Sequence, residues 1–322
     1  MISADILRDK MNEYGAQKIP FIFIVDFELS NGIFIEYPME QQEVLFRTQN
    51  ASNIREYASN GGKEMKILPI TYADYKQRFD IVMNGLLKGN SFLTNLTVKT
   101  PVFTELSLKD ILLLSNSPYG VYAPGQFVCF SPERFVRIEN GIISTNPMKG
   151  TINANIPNAE NVLLSDFKET AEHYTIVDLL RNDIGIVAND IRVEKFRYID
   201  RITTKNGDIL QTSSEITGRL HEGYFSRLGD IIFHLLPAGS ISGAPKISTV
   251  NIIRQTENEP RGFYTGVFGY FDGNELDSAV IIRYLEEHNG QKYFRSGGGI
   301  TVYSDPKSEY KEVLEKIYLP LP

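Results

Sequence analysis

Six residues, Asn146-Pro147-Met148-Lys149-Gly150-Thr151, place a lysine two positions after a proline and directly before a glycine. A lysine amine is a nucleophile toward electrophilic carbon when its surroundings hold it neutral; read alone, the same lysine is a solvated charge. Three glutamates suggest another chemistry. A helix through Glu172, Ile176 and Leu179 carries the first carboxylate along an apolar stripe. Glu309 and Glu312 are three apart beside Tyr310, Val313, Leu314 and Ile317, so they point into one cleft. Buried carboxylates need partners, and three converging oxygen donors suit a hard cation such as Mg2+.

Other candidates carry less. Gly239-Ser240-Ile241-Ser242-Gly243-Ala244-Pro245-Lys246 has a lysine after glycines, but a nucleotide-binding loop needs glycine before that lysine and Ser or Thr after it. Pro245 and Ile247 stand there instead, leaving a helix-capping turn or an anion site. Ser296-Gly297-Gly298-Gly299 follows a strand and lets backbone N–H groups approach a ligand. The single cysteine, Cys129, lies among Phe127, Val128 and Phe130 and reads as inert packing. His173, His221, His234 and His288 have no metal-ligand spacing.

The elements that must position these residues are mostly strands. Residues 20–37 alternate around Ser30-Asn31-Gly32, which predicts a hairpin with its turn there. Residues 40–66 turn polar and end in Gly61-Gly62, predicting a meander or short helices. Helices are expected over 72–89, 108–114, 166–184, 226–235, 246–256 and 306–318, with a loop at 237–245. Strands are expected after 89, at 119–131, 133–139, 141–145 and 207–219, as a hairpin over 264–285, and at 292–296. Hairpins followed by helices argue for antiparallel sheets with helices packed outside.

Composition narrows the function classes. The 322 residues are 42% hydrophobic and 23% charged, the balance of a folded globular chain. Lys and Arg number 33 against 40 Asp and Glu, a net charge of −7, so the basic surface of a nucleic-acid binder is missing. One cysteine excludes an intrachain disulfide and fits a reducing, cytoplasmic setting. The start, Met1-Ile2-Ser3-Ala4-Asp5, has no leader pattern, and no apolar run approaches the roughly 18 residues of a membrane span.

Several segments together resemble the chorismate-utilising family: GNSFLTNLT (89–97), FSPERF (130–135), NPMKGT (146–151), AEHYTIVDLLRNDIG (171–185), GSISGAPK (239–246), the strands from YTGVFGYF to DSAVIIR (264–283), and SGGGI (296–300). They stand in the family's order from about residue 72 to 318. The resemblance implies an α+β fold of two stacked, mainly antiparallel sheets with helices outside. It implies one chorismate-binding catalytic domain over 1–322, with 1–70 a short N-terminal hairpin segment and 71–320 the core. Within the family the residue before Gly-Thr separates activities. Anthranilate synthase and most isochorismate-type members have alanine there, whereas the aminodeoxychorismate synthase component I branch has lysine, as here at Lys149.

That branch implies a set of roles. Lys149 attacks the ring, and Glu133 of SPERF shuttles protons. Glu172 and Glu312, with Glu309 adjacent, hold Mg2+ against the ring carboxylate of chorismate, near Gly150 and Thr151. Arg283, Tyr264, Ser240 and the backbone of Gly298 and Gly299 hold the enolpyruvyl carboxylate. Ammonia is expected from a separate glutamine amidotransferase subunit. The product is expected to be 4-amino-4-deoxychorismate on the route to 4-aminobenzoate and folate, with no room for a lyase. Gln211 stands where most members have histidine, so that position cannot titrate near neutrality. The N-terminal part is shorter than in many members, and no tryptophan pocket is expected. The alternatives are an anthranilate synthase component I and a non-catalytic chorismate-binding homologue.

Overall fold

Strands whose side chains are buried on both faces fix the architecture of this computed structural model, which describes residues 1–55, 64–204 and 207–319. Phe21–Val25 and Leu276–Val280 bury every side chain, as central strands do when each sheet face is covered. The first sheet has ten strands. Its path runs Ile2–Ser3, Asn31–Glu36, Phe21–Val25, Val267–Phe271, Leu276–Val280, Arg134–Glu139, Ile142–Thr145 and Gly207–Arg219. The last of these is long enough to pair two strands in series along one edge: Ile142–Thr145 against 216–219 and Met148–Asn153 against 209–213. Asn189–Thr204 takes the opposite edge.

The second sheet has eight strands, running Gly243–Ala244, Leu93–Phe103, Gln291–Ile300, Tyr284–His288, Phe127–Cys129, Gly120–Ala123 and Leu45–Arg47, with Lys66–Ile67 paired to Leu93–Phe103. Between the sheets, Ile22, Ile24 and Phe268 of the first pack against Val121, Phe127 and Cys129 of the second. Helices Ala4–Ala16 and Leu228–Leu235 cover the far face of the first sheet through Leu7, Met11, Leu228 and Ile232. Helices Tyr72–Leu87, Lys246–Glu257 and Pro306–Glu315 cover the second through Phe79, Val82, Ile252 and Val313. The α+β class with stacked antiparallel sheets is therefore the observed one. Among the described residues no helix is long and apolar enough to cross a membrane.

Several boundaries differ from the sequence reading. The first hairpin turns at Asp26–Ser30, where the Asp26 carboxylate accepts the Ser30 and Asn31 backbone N–H groups at 2.7 and 3.0 Å. Gly32 already belongs to the second strand, and a Cβ there would come within 2.4 Å of Leu7 Cδ2. Its glycine serves helix packing, not the turn. The helix Ala4–Ala16 was not anticipated, although Ser3 caps it and Leu7 and Met11 are one helical turn apart. Nor was the strand Asn189–Thr204, whose alternation is broken by register shifts and by left-handed residues at Asp190 and Arg197.

Residues 119–131 split at Gly125 into two strands, and the expected loop at 237–245 contains the short helix Gly239–Ser242 and the pair Gly243–Ala244. The 292–296 strand runs on through the glycines to Ile300. The hairpin over 264–285 closes at Val280, and Tyr284–His288 has already crossed to the second sheet. Between 40 and 55 lies a short strand, Leu45–Arg47; Gly61 and Gly62 fall outside the described residues.

Candidate active site

A cavity of about 540 Å3 opens where the strand Met148–Asn153, the helix Phe167–Val187, the paired strands Leu93–Phe103 and Gln291–Ile300, and the helix Pro306–Glu315 meet. Its walls carry Lys149, Gly150, Thr151, Glu133, Glu172, Glu309 and Glu312. Ser240, Tyr264, Arg283, Gly298 and Gly299 line it as well, so every residue to which the family resemblance assigns a role reaches one space.

Lys149 is presented by a local irregularity in its strand. The register against Gly207–Arg219 slips between Lys149 and Thr151, and the intervening Gly150 adopts φ +73°. That conformation costs an L-residue roughly 1–2 kcal/mol, and a Cβ on Gly150 would lie 3.1 Å from both Glu169 Oε2 and Leu163 Cδ1. Glycine therefore meets two demands here. Thr212 Oγ1 donates to the Lys149 carbonyl, fixing the bulge from the neighbouring strand. Lys149 Nζ stands 3.9 Å from Glu172 Oε2, each side chain about one quarter exposed.

Behind Lys149, His173 is fully buried. Its Nε2 lies 2.7 Å from Ser214 Oγ, which accepts the Arg197 backbone N–H. Burial, with help from the positive charges of Arg197 and Lys149, lowers its pKa to about 4. His173 is thus neutral near pH 7, and it joins the long helix to the strand that carries Thr212. Glu133 is held through its backbone: its N–H donates to Ser131 Oγ and its carbonyl accepts from Val280.

The acidic residues stand on two walls. Glu309 is buried and Glu312 more open, and a Cβ at Gly298 would be 3.4 and 3.7 Å from their carboxylate oxygens. Glu172 is on the other helix, beside Lys149. The three carboxylates therefore share one cavity from two walls. Among the described residues no group of three His, Cys, Asp or Glu is gathered closely enough to hold a metal ion by itself. The donor chemistry, all carboxylate oxygen around a glycine-lined space, still fits a hard cation that also draws ligands from a bound molecule.

The cavity wall also carries hydrogen-bond donors. Arg283 sits at the crossover between sheets with φ +55°, an uncommon conformation for a residue other than glycine. Its Nε donates to Tyr318 Oη at 3.3 Å. Burial raises the Tyr264 hydroxyl to about 12, so it remains a proton donor. Arg261, almost wholly buried, braces the wall through Glu257 at 2.6 Å and the Asn95 carbonyl at 2.7 Å. Lys246 of the glycine-rich loop does not reach the cavity. Its Nζ pairs with Asp183 at 3.1 Å and donates to the Leu235 carbonyl at 2.7 Å, which ties it to the long helix and to the end of the helix Leu228–Leu235.

Glu169, Lys316 and Gln211 are wall residues to which the sequence reading assigned no role. Glu169 lies one turn before Glu172, and Lys316 one turn after Glu312, where its Nζ meets Glu312 at 2.7 Å and the Gly297 carbonyl at 2.9 Å. Both followed from helical spacing. Gln211, read only as a departure, also lines the cavity, opposite Thr151 on the adjacent strand.

The family described as chorismate binding enzyme matches residues 34–322 of this chain. The chain belongs to the chorismate-binding enzyme family. This family member is 50% identical to an uncharacterized PabA-like protein of Haemophilus influenzae, over 97% of this chain and 96% of that one. It is 33% identical to aminodeoxychorismate synthase component 1 of Bacillus subtilis, over 78% of this chain and 55% of that one. Among solved structures, anthranilate synthase component I of Streptococcus pneumoniae superposes with a TM-score of 0.67 at 28% identity, covering 82% of this chain and 60% of the other. The chain thus spans somewhat more than half the length of either named synthase.

Proposed function

We propose that this enzyme aminates chorismate at ring carbon C4, giving 4-amino-4-deoxychorismate, through a covalent adduct on Lys149. The observation that carries the reading is Lys149 itself, projected by the Gly150 bulge into a cavity shared with Glu133, the carboxylates, Arg283 and Tyr264. The Lys149 amine attacks C2, both ring double bonds shift, and the C4 hydroxyl leaves as water with a proton from Glu133. Ammonia then bonds to C4 and the double bonds shift back. The C2–Nζ bond breaks with its electron pair returning to lysine, and the surplus proton on the new C4 nitrogen passes to Glu133.

Arg283, Tyr264, Ser240 and the Gly298–Gly299 backbone hold the enolpyruvyl carboxylate, while Gly150 and Thr151 lie by the ring carboxylate. Glu172 and Glu312, with Glu309 adjacent, would hold Mg2+. Bound there, the cation supplies positive charge against the ring carboxylate. Ammonia comes from a separate glutamine amidotransferase subunit, because the single cysteine is buried in the sheet and burial pushes its thiol far up, unlike a glutaminase nucleophile. The product leads toward 4-aminobenzoate and folate.

The likeness to anthranilate synthase component I supports a second reading, in which nitrogen is added at C2 and pyruvate is lost. Incubating the protein with chorismate, ammonium and Mg2+ separates the two. The amination reading predicts a product that retains the enolpyruvyl group and carries nitrogen at C4; fluorescent anthranilate would overturn it.

A further inference from the structure

Glu133 and Lys149 stand on different parts of the fold, and one guanidinium joins their neighbours. Glu133 lies in the connection that takes the chain from Phe127–Cys129 of the second sheet to Arg134–Glu139 of the first. Lys149 lies on Met148–Asn153, a strand at the end of the first sheet's path that pairs with Gly207–Arg219. That ladder fixes Lys149 against Gly207–Arg219, not against Glu133. Arg134, next to Glu133, and Asn146, three residues before Lys149, close the gap: Arg134 Nη1 donates to Asn146 Oδ1 at 3.0 Å.

The rest of the guanidinium is held from other directions. Its Nε donates to Tyr119 Oη at 2.9 Å and lies 3.4 Å from Asp277 Oδ1, and its Nη2 donates to Gln49 Oε1. Tyr119 and Asp277 are buried, and the Tyr119 hydroxyl donates to Asp277 Oδ1 at 3.1 Å. Asp277 belongs to a strand of the first sheet, and Tyr119 directly precedes a strand of the second. Ser131 completes the knot. Its carbonyl accepts the Tyr119 N–H at 3.2 Å and its hydroxyl accepts the Glu133 N–H at 3.1 Å.

We infer that the hydrogen bond from Arg134 to Asn146 sets the placement of Lys149 against Glu133, and that Arg134 and Asn146 are positioning residues for the reaction. The inference rests on the amination reading. In that reaction Lys149 must reach ring carbon C2 while Glu133 reaches the hydroxyl on C4, and the ring fixes the separation of those two points. A misplacement of about 1 Å can cost on the order of 100-fold in rate. A guanidinium suits the task because its donors lie in one rigid plane. With Nε anchored at Tyr119 and Asp277, that plane cannot turn, so Nη1 offers a fixed donor to the Asn146 amide and to the chain that leads to Lys149. Arg283, Tyr264 and Ser240, which hold the substrate in the amination reading, make none of these bonds to Arg134, so losing the tie falls on the chemical step and not on binding.

Asn146→Leu keeps the side-chain shape and removes the acceptor, leaving Arg134 its bonds to Tyr119, Asp277 and Gln49. Asn146→Asp keeps an acceptor oxygen. With chorismate, ammonium and Mg2+, Asn146→Leu should lower kcat about tenfold or more while the KM for chorismate stays within about twofold. Adduct formation on Lys149 without ammonia should slow by a similar factor, and Asn146→Asp should recover most of both rates. Arg134→Lys, which keeps a charge beside Asp277 and loses the planar fork, should show the same split between kcat and KM. Unfolding midpoints of the two Asn146 variants should stay close to that of the unaltered protein. An unchanged kcat in Asn146→Leu overturns the tie, as does an Asn146→Asp variant no faster than Asn146→Leu. If the unaltered protein forms no aminated product, the amination reading fails and the tie with it, a result distinct from unchanged rates in Asn146→Leu.

Discussion

The two ends of the helix Phe167–Val187 each meet a lysine from a glycine-bearing motif, and they treat it differently. Near the C-terminal end, Asp183 takes Lys246 at 3.1 Å; that lysine also donates to the Leu235 carbonyl, and the pair is largely buried. Near the N-terminal end, Glu172 stands 3.9 Å from Lys149, on the cavity wall. A buried, closely paired ammonium is a strut, whose removal leaves an uncompensated carboxylate. A lysine at the longer distance, on a strand bulged by Gly150, can reach a bound molecule. Motif shape does not separate the two lysines; their partners do.

The contrast breaks most sharply at Lys149. Lys149→Ala should lower amination by roughly 10^4-fold, as loss of a nucleophile does, with the unfolding midpoint almost unmoved. Near-normal turnover in a product assay would place the chemistry elsewhere. At the other end the effect should reverse. Lys246→Met leaves Asp183 buried, and unfolding in denaturant should show a loss of about 3 kcal/mol with turnover per folded molecule largely kept. A variant as stable as the parent but inactive would make Lys246 part of the site.

A smaller effect sharpens the same comparison through His173, which backs the Lys149 end. Its folded pKa of about 4 lies below the usual value of a free histidine, so the unfolded chain binds the extra proton as pH falls from about 6.5. The folded state therefore loses stability between about pH 6.5 and 4, by about 2–3 kcal/mol from this group, and no further below. Denaturation midpoints at pH 6.5 and 4.5 should show a flatter dependence in His173→Asn; an identical slope would mean that His173 is not held neutral.

The sequence made the long helix and the Glu309–Glu312 pair readable because helical spacing is local. The same spacing held Glu169 and Lys316, overlooked because a charged residue in a polar stretch gives no sign of which face it occupies. Lys149 was legible only through the ordered motifs around it; its strand is six residues with a bulge, and neither feature shows in alternation. The strand Asn189–Thr204 was hidden for the same reason, since each register shift resets which residues face inward. Gly32 misled because a glycine near a turn and a glycine beneath a helix look identical in sequence. What no local pattern held was the meeting of two sheets and two helices around one cavity, which depends on pairings between residues as far apart as Leu96 and Gly298.

The central claim, that Lys149 forms a bond to the ring, is tested most directly by the intact mass of the protein after incubation with chorismate and Mg2+ without ammonia. The account predicts a gain equal to chorismate minus one water, located on Lys149, absent from Lys149→Ala and discharged when ammonium is added. No gain in mass while aminated product forms at a normal rate on adding ammonium, or an adduct that persists in Lys149→Ala, would contradict it.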